Sequence, residues 1–95
     1  LPFPSHVHDP QAVLDYPIDL SDFAAKGDPA VAVSVSAADG ATIENVWPLN
    51  DDGVAVARIS GSEMRVNKNY NVTFHFTLAS GQEDDRSITL ICKER

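Results

Sequence analysis

The chain has 95 residues, 43% of them hydrophobic and 22% charged, with a formal net charge of −7. That is enough for one domain with one modest core, and it leaves no room for a second domain to close over a substrate. Fourteen acidic side chains stand against seven basic ones, so the clustered Lys and Arg that bind phosphate are missing. Neither nucleic acid nor an anionic membrane is an expected partner.

Leu1 to His8 carries two prolines and no periodicity. Proline fixes φ and pushes the preceding residue toward extended backbone, so residues 1–10 read as an extended N-terminal arm and residues 11–95 as the folded domain. Phe3 and Val7 are costly to leave in water, which makes the arm a candidate to lie on a neighbour. Its deletion over residues 1–8 is expected to leave the domain folded.

From Val13 the pattern alternates with period two: Leu14, Tyr16, Ile18 and Leu20 against Asp15, Pro17, Asp19 and Ser21. This is a strand with one wet face, and Pro17 places it at a sheet edge or a bulge. Asp22 to Asp28 reads as a loop. Val31, Val33 and Val35 mark a second strand, and Thr42 to Trp47 a third. Asn50-Asp51-Asp52-Gly53 is the clearest turn, and Val54 to Ile59 follows as a fourth strand. Glu63 to Lys68 is long enough for one helical turn. Tyr70 to Leu78 directs Val72, Phe74, Phe76 and Leu78 to one side, and Arg86 to Cys92 directs Ile88, Leu90 and Cys92 likewise.

This spacing predicts an all-β domain, an immunoglobulin-like Greek-key sandwich of about 6–7 strands, with the jelly roll and small barrel as alternatives. Tyr70, just ahead of the penultimate strand with Val72 two residues on, is placed to hydrogen-bond across the corner between sheets. Cys92 is the single cysteine. No internal disulfide can form, and a small buried hydrophobe is the expected role. No stretch approaches the roughly 20 apolar residues of a membrane span.

A search for chemistry finds no catalytic residues. His6 and His8 lack two further ligands for zinc; they read as exposed polar residues. The acidic turns Asn50–Asp52 and Glu83–Asp85 hold no calcium-loop spacing and read as solvated turns. No Ser lies in a nucleophile elbow, no Gly-rich loop precedes a helix, and Cys92 has no evident His partner. No metal or other cofactor is expected, and the chain is not expected to be an enzyme.

Contact with other proteins is better supported. Pro17 marks an edge open to a partner strand. Ile91 interrupts the polar side of the last strand, and Trp47 adjoins a proline–turn junction. With Phe3, Val7 and Tyr16 these make a set of candidate interface residues.

Two segments carry a family resemblance. Asp9-Pro10-Gln11-Ala12-Val13-Leu14-Asp15-Tyr16, continued by Ile18 to Phe23, resembles the opening of small tailed-bacteriophage fiber–tail adaptors, where a D-P-x-A-V-L-D-Y segment leads into an acidic, aromatic stretch. Gly81 to Leu90 is similar to their closing hairpin and D/E-R-S-I-x-L strand. Val54 to Ser60, followed by Tyr70-Asn71-Val72-Thr73, fits their middle order. Where that family usually has a Trp before a Gly-containing turn, Val33-Ser34-Val35-Ser36 stands here. The resemblance implies a structural virion protein at the tail or neck, assembled in the host cytoplasm and present in several copies. Its partners would be other virion proteins: tail, neck or fibre subunits. An immunoglobulin-like recognition module, binding carbohydrate or decorating a capsid surface, is the alternative.

Overall fold

The computed structural model describes residues 4–47 and 49–94. Alternating apolar residues build seven strands among them: β1 (Ser5–His8), β2 (Val13–Asp19), β3 (Ala30–Ala37), β4 (Thr42–Trp47), β5 (Val54–Ser60), β6 (Asn69–Leu78) and β7 (Glu83–Cys92). They form a four-stranded sheet in the order β1-β7-β6-β3 and a three-stranded sheet in the order β2-β5-β4. All pairings are antiparallel except β1 with β7. The two sheets share one core. Tyr16, Ala57 and Ile59 from the smaller sheet meet Val72, Phe74, Ile88, Leu90 and Cys92 from the larger.

The longest runs of strict alternation make the best-buried strands. Val72, Phe74, Phe76 and Leu78 on β6, and Ile88, Leu90 and Cys92 on β7, are all buried. Thr73, His75 and Thr77 lie on the opposite face. Cys92 is fully buried, and that burial pushes its thiol pKa up. It packs as the expected small hydrophobe.

Pro17 does sit on an edge, since β2 is an outer strand of the smaller sheet. At the turn before β5, Asn50 Oδ1 accepts the N–H groups of Asp52 (2.9 Å) and Val54 (3.0 Å). Gly53 there has φ +78°, a region glycine enters without steric cost. Tyr70 Oη accepts the N–H of Arg65 at 2.7 Å, so the expected bond across the corner forms.

Three local expectations are corrected. Ser5–His8 is extended, but it belongs to the larger sheet as a parallel strand beside Thr89–Cys92, and His8 is fully buried rather than exposed. Deleting residues 1–8 would therefore remove a strand and a core side chain.

The stretch from Ser21 is not a plain loop. A short helix, α1 (Ser21–Ala25), forms there. Leu20, 1% exposed, leaves the strand to fill a second core cluster with Phe76 and Leu78. Phe23, three residues on, packs with its ring tilted against that of Phe76, centroids 5.1 Å apart. Asp19 Oδ1 accepts the N–H of Ser21, which replaces a strand partner with a local turn bond.

Between β5 and β6 there is no helical turn. Asn67 adopts φ +69° instead, a region Asn tolerates, and donates its N–H to Cys92 O at 2.7 Å.

Candidate functional site

Strand register sorts the candidate interface residues into two outer faces and the interior. On the larger sheet, β1 and β7 pair Val7 with Ile91. Since His8 and Cys92 point into the core, Val7 and Ile91 lie side by side on the outer surface, both half-buried. On the smaller sheet, Pro17 pairs with Val56, and Val56 with Trp47. Tyr16, Ala57 and Val46 take the inner positions next to them, so Pro17, Val56 and Trp47 form an apolar row across the opposite face of the molecule.

The adjacent register position reinforces that row. Asp15 pairs with Arg58, and the guanidinium forks onto the carboxylate through Nε–Oδ1 (2.8 Å) and Nη2–Oδ2 (3.2 Å). This hydrogen bond lowers the Asp15 pKa and raises that of Arg58. The same guanidinium lies 4.8 Å from the Trp47 ring centroid, an attractive cation–π distance. Trp47 is 37% exposed. Asp15 and Arg58 thus hold an exposed aromatic in a defined position.

Tyr16 is no surface residue. It is 6% exposed and packs in the core, because the inner face of β2 is the face it occupies. Phe3 lies outside the described residues.

The acidic turns are occupied by local bonds. His75 on β6 faces Asp85 and Glu83 on β7: Nδ1 lies 2.5 Å from Asp85 Oδ1, and Nε2 lies 2.8 Å from Glu83 Oε1. Both nitrogens meet carboxylate oxygens, so the geometry suits an imidazolium donating twice. The Glu83 hydrogen bond, then that of Asp85, raises the His75 pKa. Near the start of β7, Arg86 donates to Asp22 Oδ2 (2.7 Å) and to Asp19 O (3.0 Å), and sits 5.0 Å from the Phe23 ring. That hydrogen bond lowers the Asp22 pKa and fastens α1 to the larger sheet. No group of three or more His, Cys, Asp or Glu with metal-binding geometry occurs among the described residues.

One open groove, about 640 Å³, is lined by Pro4, Ile18, Thr73, Asp85, Arg86 and Ser87. None of these described lining residues is aromatic. Sequence reasoning missed the role of His8, whose ring lies in the interior between Tyr16 and Ala12. Nothing in a periodicity-free segment signals such a position.

Apolar side chains thus lie on the outer faces of both sheets. The family model for the podophage GP4 fiber-tail adaptor protein gp77 matches residues 8–91, and the chain belongs to that family. The match spans the body from the buried His8 to the last outward residue of β7, as the sequence resemblance led us to expect. Fiber–tail adaptors are structural phage proteins, not a class of enzyme; they are virion-associated and bind other tail proteins. No curated protein and no solved structure matches the chain.

Proposed function

We propose that this chain is a docking adaptor at the phage tail or neck, present in several copies, that joins tail components to fibres through its two outer faces. The carrying observation is the family match over residues 8–91, laid on a body whose opposite faces present Val7 with Ile91 and Pro17 with Val56 and Trp47. An adaptor must touch two neighbours at once, and apolar patches on opposite faces of a thin body suit that task.

An immunoglobulin-like Greek-key sandwich is the fold reading that fits best. The strand order β1-β7-β6-β3 over β2-β5-β4, with a parallel first strand and the Tyr70 corner bond, supports it. Rigidity matters because an ordered scaffold loses little entropy on docking.

Particle complementation with single variants tests the reading. Trp47→Ala on one face and Ile91→Asp on the other should each leave a folded chain by circular dichroism. Each should also yield particles depleted in fibres or in the adaptor itself. Normal particles from both variants would overturn the two-face docking role.

A further inference from the structure

We infer that the outer edge of β3 is a strand acceptor, built to receive an extended, uncharged segment of a partner protein flanked by lysine or arginine. This deepens the docking reading, and rests on it only for the partner's place in the virion.

A two-sheet domain has outer strands with unpaired backbone groups, and proteins guard them with charge, proline or shortness. Three of the four outer strands here follow that rule. β1 has only four residues, β2 carries Asp15, Pro17 and Asp19, and β4 carries Glu44. β3 runs for eight residues as Ala-Val-Ala-Val-Ser-Val-Ser-Ala, with no charge and no proline.

The backbone groups it offers follow from register. Ala38 donates its N–H to Asn71 O, continuing a ladder in which Ser36 pairs with Thr73 and Ser34 with His75. Alternation in an antiparallel ladder then turns the N–H and C=O of Val33, Val35 and Ala37 outward. Of the six half-buried apolar residues packed on the main core, five (Val33, Val35, Ala37, Ala41 and Ile43) belong to β3, β4 or the turn between them, and Ile18 belongs to β2. Val31 is 60% exposed. An added strand would satisfy the outward groups and cover that edge in one step.

Charge selects the occupant. Asp28 and Asp39 bracket the uncharged run, on a chain whose net charge is −7. A second copy pairing antiparallel about the middle of β3 would set each Asp28 end against the other copy's Asp39 end. Basic flanks on a partner strand would meet the same carboxylates favourably.

The test uses the full chain, labelled with ¹⁵N, and two synthetic peptides. Lys-Lys-Thr-Val-Thr-Val-Thr-Val-Lys-Lys should shift the amides of Val33, Val35 and Ala37 and slow their hydrogen exchange. Its Glu-flanked counterpart should bind about tenfold or more weakly at low salt. Val35→Pro removes an outward donor and should abolish the effect. Should that variant unfold, Ser34→Lys tests the same edge from its exposed outer face and should weaken binding of the basic peptide. Equal binding of both peptides, shifts confined to another edge, or a concentration-dependent dimer through β3 would overturn the assignment. Particles carrying Ser34→Lys that keep their fibres would instead move this partner away from the fibre joint, leaving the peptide result to decide the edge itself.

Discussion

His8 Nδ1 lies 2.5 Å from Tyr16 Oη inside the protein, and its Nε2 lies 3.0 Å from the carbonyl of Ala12. A carbonyl only accepts, so Nε2 carries the proton and Nδ1 accepts from the tyrosine hydroxyl. The bond joins β1 of one sheet to β2 of the other. It turns a segment that looks like a loose arm into part of the core.

Tyr16→Phe removes the hydroxyl and leaves Nδ1 of a fully buried imidazole without a donor. Stranding a buried acceptor costs about 1–3 kcal/mol. Urea denaturation should show that loss with an unchanged slope. His8→Ala removes the ring as well and should cost more, about 2–4 kcal/mol, by adding a cavity. If either variant matches the parent within error, the latch carries no stability.

Gly61 explains how His8 fits. A Cβ at that position would stand 2.8 Å from His8 Cδ2 and 2.9 Å from the carbonyl oxygen of Asp9. Gly61→Ala must therefore push β1 outward, at about 1–3 kcal/mol for overpacking. The local readout is specific. Thr89 donates its N–H to Pro4 O, and Lys93 donates to His8 O, so these two amides should lose exchange protection before those of β6. Uniform loss across both sheets would contradict a latch confined to β1.

What was legible follows from where the physics is local. Period-two alternation on β6 and β7 identifies Phe74, Phe76, Leu90 and Cys92 as core because strand geometry alone dictates it. Pro17 declares an edge by the donor it lacks. The Asn50–Gly53 turn and the Tyr70 corner are likewise chemical signatures. By contrast, His8 owes its burial to Gly61 and Tyr16, which lie outside its own strand. Tyr16 was legible as an inward residue of β2, yet the same aromatic character suggested a contact role that its burial removes. The pairing of Val7 with Ile91, and of Pro17 with Trp47 through Val56, depends on sheet order. Only topology supplies that. The uncharged run of β3 was visible, but its meaning required knowing that β3 is an outer strand.

His75 gives a pH dependence whose sign can be worked out. Glu83 and Asp85 on β7 raise its pKa above the ordinary 6.5, and Ser34, its pairing neighbour on β3, is uncharged. A raised folded-state pKa means the stabilising contribution is full below about 6.5 and fades as pH climbs through the folded value. The carboxylates run the other way. The pKa values of Asp15, Asp19 and Asp22 are lowered from 3.8 by Arg58, Ser21 and Arg86 respectively, so their contribution holds above that value and is lost as pH falls through the lowered one. Denaturation midpoints should therefore decline gently from pH 6 toward pH 9, and fall again below pH 4. His75→Gln should flatten only the alkaline limb. An NMR titration placing the His75 midpoint at or below 6.5 would contradict the paired imidazolium.

The corner bond offers a separate test of how the two sheets are held in register. Tyr70 is 6% exposed, and its hydroxyl accepts the Arg65 N–H at 2.7 Å. It therefore ties the loop leaving β5 to the start of β6, where the chain passes from the smaller sheet to the larger. Tyr70→Phe keeps the ring in the core and deletes only this acceptor. A net loss of about 1–1.5 kcal/mol is expected, near the upper range for one hydrogen bond, because the freed Arg65 N–H lies in a part-buried position. Hydrogen exchange should accelerate first at Arg65 and then at Asn67 and Cys92, whose N–H groups donate to Cys92 O and Lys68 O along the same loop. The outer faces stay unchanged in this variant, since Trp47 and Ile91 lie on other elements. Particle incorporation at permissive temperature should therefore match the parent. A variant that loses incorporation while retaining full stability would show that the corner itself touches a neighbour, a role its geometry does not suggest.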